Sequence, residues 1–406
     1  MGADECDPAQ EQGAAKINRP VYLDHAATTP IDPRVAAAMA QCLGAQGEFG
    51  NPASSHEFGH AAATLVERAR AQVAASVRAA PREVIWTSGA TEANNLAIFG
   101  IARYYREYGR HIVTARTEHK AVLDPCRELE RLGWRVTYLA PDGGGAVHAD
   151  QVAAALRPDT VLVSLMHVNN EIGVIQDIAA IGAVCAQHGG ARLHVDAAQS
   201  AGKISIDFAA LGADLMSLSA HKVYGPKGVG ALLVARRGGG TGTQLTALQF
   251  GGGQERGLRA GTVPTHQVVG MGLAFELAHA AAPAEAERIA SLRDRLWQGL
   301  ALLGGTLRNG DAARSVPHIL NVSFAGVEGE SLLAALRGRV AVSTGSACSS
   351  ALQEPSYVLR ALGRDDILSE SSLRFGLGRF TGEGDIDAAV AAVTRAVTRL
   401  RRIGGA

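Results

Sequence analysis

Residues 161–168 read VLVSLMHV and residues 193–195 read LHV, two short apolar runs with a helical stretch at 178–187 between them. Strand, helix, strand in that order predicts a parallel pair, because a tight turn joins only antiparallel neighbours and a crossover helix is needed for parallel ones. Working outward, 83–86 (EVIW), 112–115 and 136–139 read as further strands, with helical stretches at 92–108 and 121–132. The expected fold class is α/β, a mostly parallel sheet covered on both faces. In such sheets ligands bind beyond the carboxyl ends of the strands, so the residues just after each strand are the ones to weigh.

A chain of 406 residues is too long for one small core, and two domains are expected. The texture changes near residue 281: 284–303 reads as one long helix, followed by a strand at 319–324 and a short helix at 331–336. A final helix carries Ile386, Val390, Val393, Val397 and Leu400 on one face. This half predicts a smaller α+β domain. Lys+Arg and Asp+Glu both number 39, so neither a nucleic-acid nor a membrane surface is expected. Residues 1–18 are polar and lack the apolar core of a signal peptide, which predicts a floppy tail. No apolar run approaches the ~20 residues of a membrane span. The five cysteines are odd in number and widely spaced, neither a disulfide framework nor a zinc site, so a reducing cytoplasm and no metal of the protein's own are expected. The glycine cluster at 237–242 reads as a surface loop.

Four strand ends carry chemistry. In TSGATEANN (87–95), small residues lead into a helix whose first turn holds Ala90, Thr91 and Glu92; bare amides and the helix dipole suit a phosphate there, and a plain capping turn is the other reading. In LHVDAAQS (193–200), Asp196 ends an apolar strand, where it serves either as a helix cap or as partner to a protonated ring nitrogen, with Gln199 able to donate to a ring oxygen. In LMSLSAHKVYGPKGVG (215–230), Ser219, His221 and Lys222 end a buried strand. Burial lowers a lysine pKa and makes the amine competent for a Schiff base; a salt bridge to Asp196 is the alternative, and Lys227, in the following turn, is the poorer candidate. Finally Asn170 and His119 each follow a strand on the same rim, His119 being placed to stack on a flat ring. A phosphate cradle, a ring-nitrogen carboxylate, a Schiff-base lysine and a stacking histidine together match pyridoxal 5'-phosphate.

With these residues in hand, the sequence resembles the cysteine desulfurases, of the housekeeping kind that serves iron–sulfur cluster assembly. The match runs from VYLDHAATTP at 21 to about Leu400 through FGNPASSHEFG (49–59), TEHKAVLD (117–124), MHVNNEIGV (166–174), RAGT (259–262), STGSAC (343–348) and SLRFGLGRF (372–380). The resemblance implies the aspartate-aminotransferase fold (fold type I). Its large cofactor domain (30–280) would hold a mostly parallel seven-stranded sheet, and a small domain (21–29 and 281–406) would carry the catalytic cysteine loop, after a tail at 1–20. It implies a homodimer with sites at the subunit interface. Lys222 would hold the cofactor covalently; Ala90, Thr91, Ser219 and His221 would hold its phosphate, with Thr262 reaching the neighbouring subunit's phosphate. Asn170, Asp196, Gln199 and His119 would surround the ring. Arg374, with Asn51 nearby, would bind the substrate carboxylate, a task suited to a bidentate guanidinium; Arg379 is the lesser candidate on motif position.

The substrate implied is L-cysteine, converted to L-alanine, with sulfur received as a persulfide on Cys348. It would pass to an iron–sulfur scaffold protein and other acceptors, tRNA thiolation among the destinations, and Cys348 would transiently ligate a cluster with that scaffold. Cys348 lies among small residues expected in a mobile loop, whereas inert thiols are expected at the other four cysteines. His119 would carry protons for the thiols. The chain stops at Ala406, soon after its final helix, so partner docking without the extended tail of many relatives is expected. Rivals are selenocysteine lyase, a cysteine or cystine β-lyase or an aminotransferase on the same fold, and a non-catalytic cofactor-binding scaffold.

Overall fold

The computed structural model describes residues 19–236, 242–344 and 355–404. The tail at 1–18, most of the glycine cluster and the segment with Cys348 lie outside the described residues. The strands are β1 (Val21–Tyr22), β2 (Val84–Thr87), β3 (His111–Ala115), β4 (Arg135–Leu139), β5 (Thr160–Met166), β6 (Arg192–Asp196), β7 (Leu215–Ser219), β8 (Gly230–Val234), β9 (Thr306–Asn309), β10 (Ile319–Phe324), β11 (Val340–Ala341) and β12 (Ser372–Gly376).

Seven of them form one sheet in the order β2-β8-β7-β6-β5-β3-β4. All run parallel except β8, which pairs antiparallel with both β2 and β7. Strands β2, β3, β5, β7 and β8 are buried at every residue, the condition of a sheet covered on both faces, which explains their unbroken apolar runs. One core lies on one face around Val163, Val195, Met216 and Phe275, and another on the opposite face around Ile98, Ile101, Ile112 and Leu162. The helix Ala90–Tyr105 leaves β2 at one edge and packs across β8, β7, β6 and β5 before the chain enters β3. That path carries its first turn past the carboxyl ends of the central strands.

A further core gathers Leu320, Val322, Phe324, Leu373 and Phe375 from the three-stranded sheet β12-β10-β9 with Ile386, Val393 and Val397 of the final helix, Glu383–Gly404. The start of the chain joins this unit: β1 pairs with β11, and Asp24 bridges Gly376.

The long helix expected to begin at 284 instead spans Thr265–Ala301 without a break and passes through Pro283. Val268, Met271 and Phe275 serve the large-sheet core, and Leu292, Leu296 and Leu300 the smaller one. Between these stretches the sequence is alanine-rich, a composition that sustains a helix without marking a buried face, so the apolar periodicity lapses where the helix passes between cores. No described helix is long and apolar enough to cross a membrane.

Candidate active site

A cavity of about 440 Å³ opens beyond the carboxyl ends of the central strands, lined from the large sheet and, through Arg374, from the smaller one. At one end the chain leaves β2, turns through Gly89 at φ +153° and enters the helix at Ala90 with no side-chain cap. That φ is one most side chains rarely adopt. Ala90 and Thr91 line the cavity, placing the positive end of the helix where an anion would sit. Glu92 does not cap the helix end. It accepts from the Ser88 amide at 2.6 Å and pairs with Arg259 at 2.9 Å, which counters its negative charge beside the uncapped helix start.

Ser219 closes β7, and the single turn Ala220–Lys222 aims His221 and Lys222 into the same space. Burial, then the Lys222 and Lys227 charges, pushes His221 down to about 4, so the ring is neutral at pH 7 and stays hydrogen-bonded to Thr28 Oγ1 at 3.1 Å. The Lys222 Nζ donates to the Ala26 carbonyl at 2.5 Å. Lys227 also lines the cavity but is exposed.

On the neighbouring strand β6, Asp196 is buried at the end. Its Oδ2 accepts from Asn94 Nδ2 at 2.7 Å and its Oδ1 from the Ala198 amide at 2.9 Å. Gln199 donates to Ala26 O at 2.8 Å, which leaves its buried Oε1 without a partner; the amide expected to reach a ring oxygen is committed to the backbone. Asn170 Oδ1 is likewise buried and unsatisfied. His119 caps the helix Lys120–Arg131, its Nδ1 accepting from the Ala121 amide at 3.1 Å.

Arg374, on β12, is 4% exposed. It donates to Asn170 O and to Asp24 Oδ1, each at 2.9 Å, and its Nε is unsatisfied. Arg379 is tied elsewhere, to Asp32 and Glu285, with its guanidinium 4.3 Å from the Tyr224 ring centroid. Asn51 and Thr262 are both exposed and do not line the cavity within a single chain. Cys348 lies outside the described residues. The three described cysteines are buried; burial pushes Cys126 and Cys185 up to about 12 and raises Cys42, which makes them poor thiolates.

Sequence reasoning passed over Asn94, although four residues after Ala90 is one helical turn on the same face, and that spacing was the available signal. It also passed over two buried carboxyls next to the motif residues. Glu118 lies fully buried and is raised well above the usual carboxylate range. Burial pushes Glu171 up to about 7 against the Ser356 hydrogen bond and the Arg374 charge.

These residues suit a pyridine ring carrying a phosphate. The uncapped helix start fits the anion, the buried carboxylate fits a protonated ring nitrogen, and the unsatisfied Asn170 Oδ1, Gln199 Oε1 and Arg374 Nε leave polar valences open toward a bound molecule. The donor set fits pyridoxal 5'-phosphate and an amino-acid carboxylate.

The class-V aminotransferase family model matches residues 21–389. A cysteine desulfurase IscS of Pectobacterium atrosepticum is 57% identical over 383 residues, 94% of each chain. A NifS-like protein of known structure superposes with a TM-score of 0.87 at 33% identity, covering 94% of this chain and 100% of its own. SspA, solved in complex with cysteine, gives 0.78 at 37% identity over 88% of this chain and 98% of its own. The chain thus belongs to the class-V aminotransferases and, within them, to the cysteine desulfurases, enzymes whose cofactor is pyridoxal 5'-phosphate.

Proposed function

We propose that this enzyme takes sulfur from L-cysteine at the cavity bounded by Lys222, Asp196 and Arg374, and passes it to acceptor proteins through Cys348. One juxtaposition carries the reading. A lysine and a buried carboxylate stand at the ends of adjacent parallel strands, β7 and β6, and a buried arginine from the other sheet faces them across the same cavity.

Lys222 would hold the cofactor by its amine, the Ala90 and Thr91 helix start with Ser219 and His221 would hold the phosphate, and Asp196 the ring nitrogen. When bound, pyridoxal phosphate supplies an electron sink for charge developing at the substrate Cα. Arg374, fixed by Asp24 and Asn170, orients the substrate carboxylate and so sets which Cα bond is presented. The Lys222 amine would take the α-proton. His119 moves protons at the substrate thiol and the leaving carbon. Cys348, as thiolate, attacks the substrate sulfur; the C–S bond breaks with its electron pair on carbon, alanine leaves, and Cys348 carries the sulfur as a persulfide. The proposal extends to a cytoplasmic homodimer in which Thr262 reaches the second subunit's phosphate, to a small unit built from 21–29 and 281–406, and to an iron–sulfur scaffold protein as acceptor. Purified enzyme supplied with L-cysteine should release alanine, and sulfide once a thiol reductant is added, in equal amounts. Pyruvate and ammonia in place of alanine would identify a β-lyase instead.

A further inference from the structure

The groups that hydrogen-bond the Asp196 carboxylate are neutral amides. Asn94, 1% exposed, holds Oδ2, and the Ala198 amide holds Oδ1. Glu118 is fully buried, and burial, with the Asp196 charge adding to it, raises its carboxyl well above the usual carboxylate range. His194, one turn of the strand pleat before Asp196, is fully buried, bonded to Ser164 and Ser217, and pushed down to about 4 by burial. A lysine or arginine at the position of Asn94 would pair with the carboxylate and satisfy it without a ligand. An amide orients the same oxygen and leaves its charge for something else.

Asn94 is also placed by the helix that carries the phosphate site. Ala90 and Asn94 lie on one face of Ala90–Tyr105, one turn and about 6 Å of rise apart, and both line the cavity. One rigid element therefore touches the anion end and, through Asp196, the ring-nitrogen end.

We propose that Asn94 is a positioning residue for the reaction: its amide fixes the Asp196 carboxylate on the cofactor's ring nitrogen and keeps it in register with the phosphate held one turn away. This inference rests on the cofactor placement proposed above. The Asn94 Oδ1 is buried and unpartnered, so the side chain is retained at a cost that its single donated hydrogen bond must offset.

The test compares two cofactors on full-length enzyme: pyridoxal 5'-phosphate and its 1-deaza analogue, in which CH replaces the ring nitrogen. Dissociation constants would be measured by fluorescence for the unaltered enzyme, Asn94→Ala and Asn94→Ser, with circular dichroism as a check on folding. Loss of one hydrogen bond to a charged group predicts on the order of tenfold weaker binding of pyridoxal phosphate by Asn94→Ala, with Asn94→Ser between the two. Affinity for the deaza analogue should not change. Equal losses for both cofactors, or none for either, would overturn the assignment and leave Asn94 as packing. If the unaltered enzyme itself failed to distinguish the two cofactors, the placement of Asp196 on the ring nitrogen would fall instead. Should Asn94→Ala not fold, Asn94→Ser alone decides, since its hydroxyl fits within the volume of the amide.

Discussion

Ser356 Oγ donates to Glu171 Oε2 at 2.5 Å, joining residues 185 positions apart in the sequence. Glu171 follows Asn170, whose carbonyl holds Arg374, and Ser356 caps the helix Tyr357–Ala361 that packs on Ile172 and Val174. On the other side of the segment with Cys348, Ser343 and Arg374 exchange backbone hydrogen bonds of 3.3 and 2.7 Å. Both described flanks of that segment are therefore fastened to residues around Arg374.

The buried Glu171 carboxyl carries a pH signature, set by burial against the Ser356 hydrogen bond. Burial raises Glu171 from 4.5 to about 7, so between those values the folded chain binds a proton that the unfolded chain has released. The associated stability is full below about 4.5 and is lost as pH climbs through 7, on the order of 3 kcal/mol. Glu171→Gln keeps an acceptor for Ser356 and removes the titration. Urea midpoints across pH 4.5 to 8 should fall less steeply for Glu171→Gln than for the unaltered enzyme; parallel curves would show that Glu171 does not titrate in this range.

Lys222→Ala should purify without a cofactor that borohydride can fix to the chain, and should turn over no cysteine. Peptide mapping of the reduced, unaltered enzyme should find the label on Lys222. A label on Lys227, which lines the same cavity but is exposed, would reassign the amine.

Cys348→Ala should bind cofactor normally and still shift its absorption when cysteine is added, yet release no alanine. The described alternatives cannot substitute, because burial raises all three thiols. Undiminished alanine release would mean that sulfide is shed without an enzyme persulfide.

Arg374→Lys removes the planar fork held between Asp24 and Asn170. Two charge-assisted bonds are at stake, so KM for cysteine should rise roughly tenfold to a hundredfold, with a smaller change in kcat. A fall confined to kcat would place Arg374 on the transition state rather than on the substrate carboxylate.

Thr262 is exposed and stands outside its own chain's cavity. If it serves a second subunit's phosphate, mixing Thr262→Ala with Lys222→Ala chains should regenerate one intact site per mixed dimer and restore part of the activity. Mixtures as inactive as either parent would exclude that role.

Much of this was legible in the sequence because the residues that line the cavity stand at strand ends. The buried strands β5 and β7 announced themselves as apolar runs, and the polar residues at their ends, Asn170, Ser219 and Lys222, stood out against that background. What stayed hidden depended on long-range approach. Asn94 looks like any polar residue of a first helical turn until the sheet order brings Asp196 to 2.7 Å, and Ser356 gives no sign of Glu171 before the chain has folded back. The long helix begins earlier than its periodicity predicts for a related reason: no periodicity marks alanines that pass between two cores.

The pairing of β1 with β11, and of Asp24 with Gly376, also constrains how the polypeptide matures on the ribosome. Residues 21–24 emerge early, but the strands that receive them are translated more than three hundred residues later. At ~5–20 residues per second that wait lasts roughly 15–60 s. The large sheet contains nothing from 21–24 and is free to assemble in the interval. Asp24, which steadies Arg374, reaches its place only in the last stage of biogenesis, so a nascent chain stalled before β12 would hold a built sheet whose cavity still lacked Arg374.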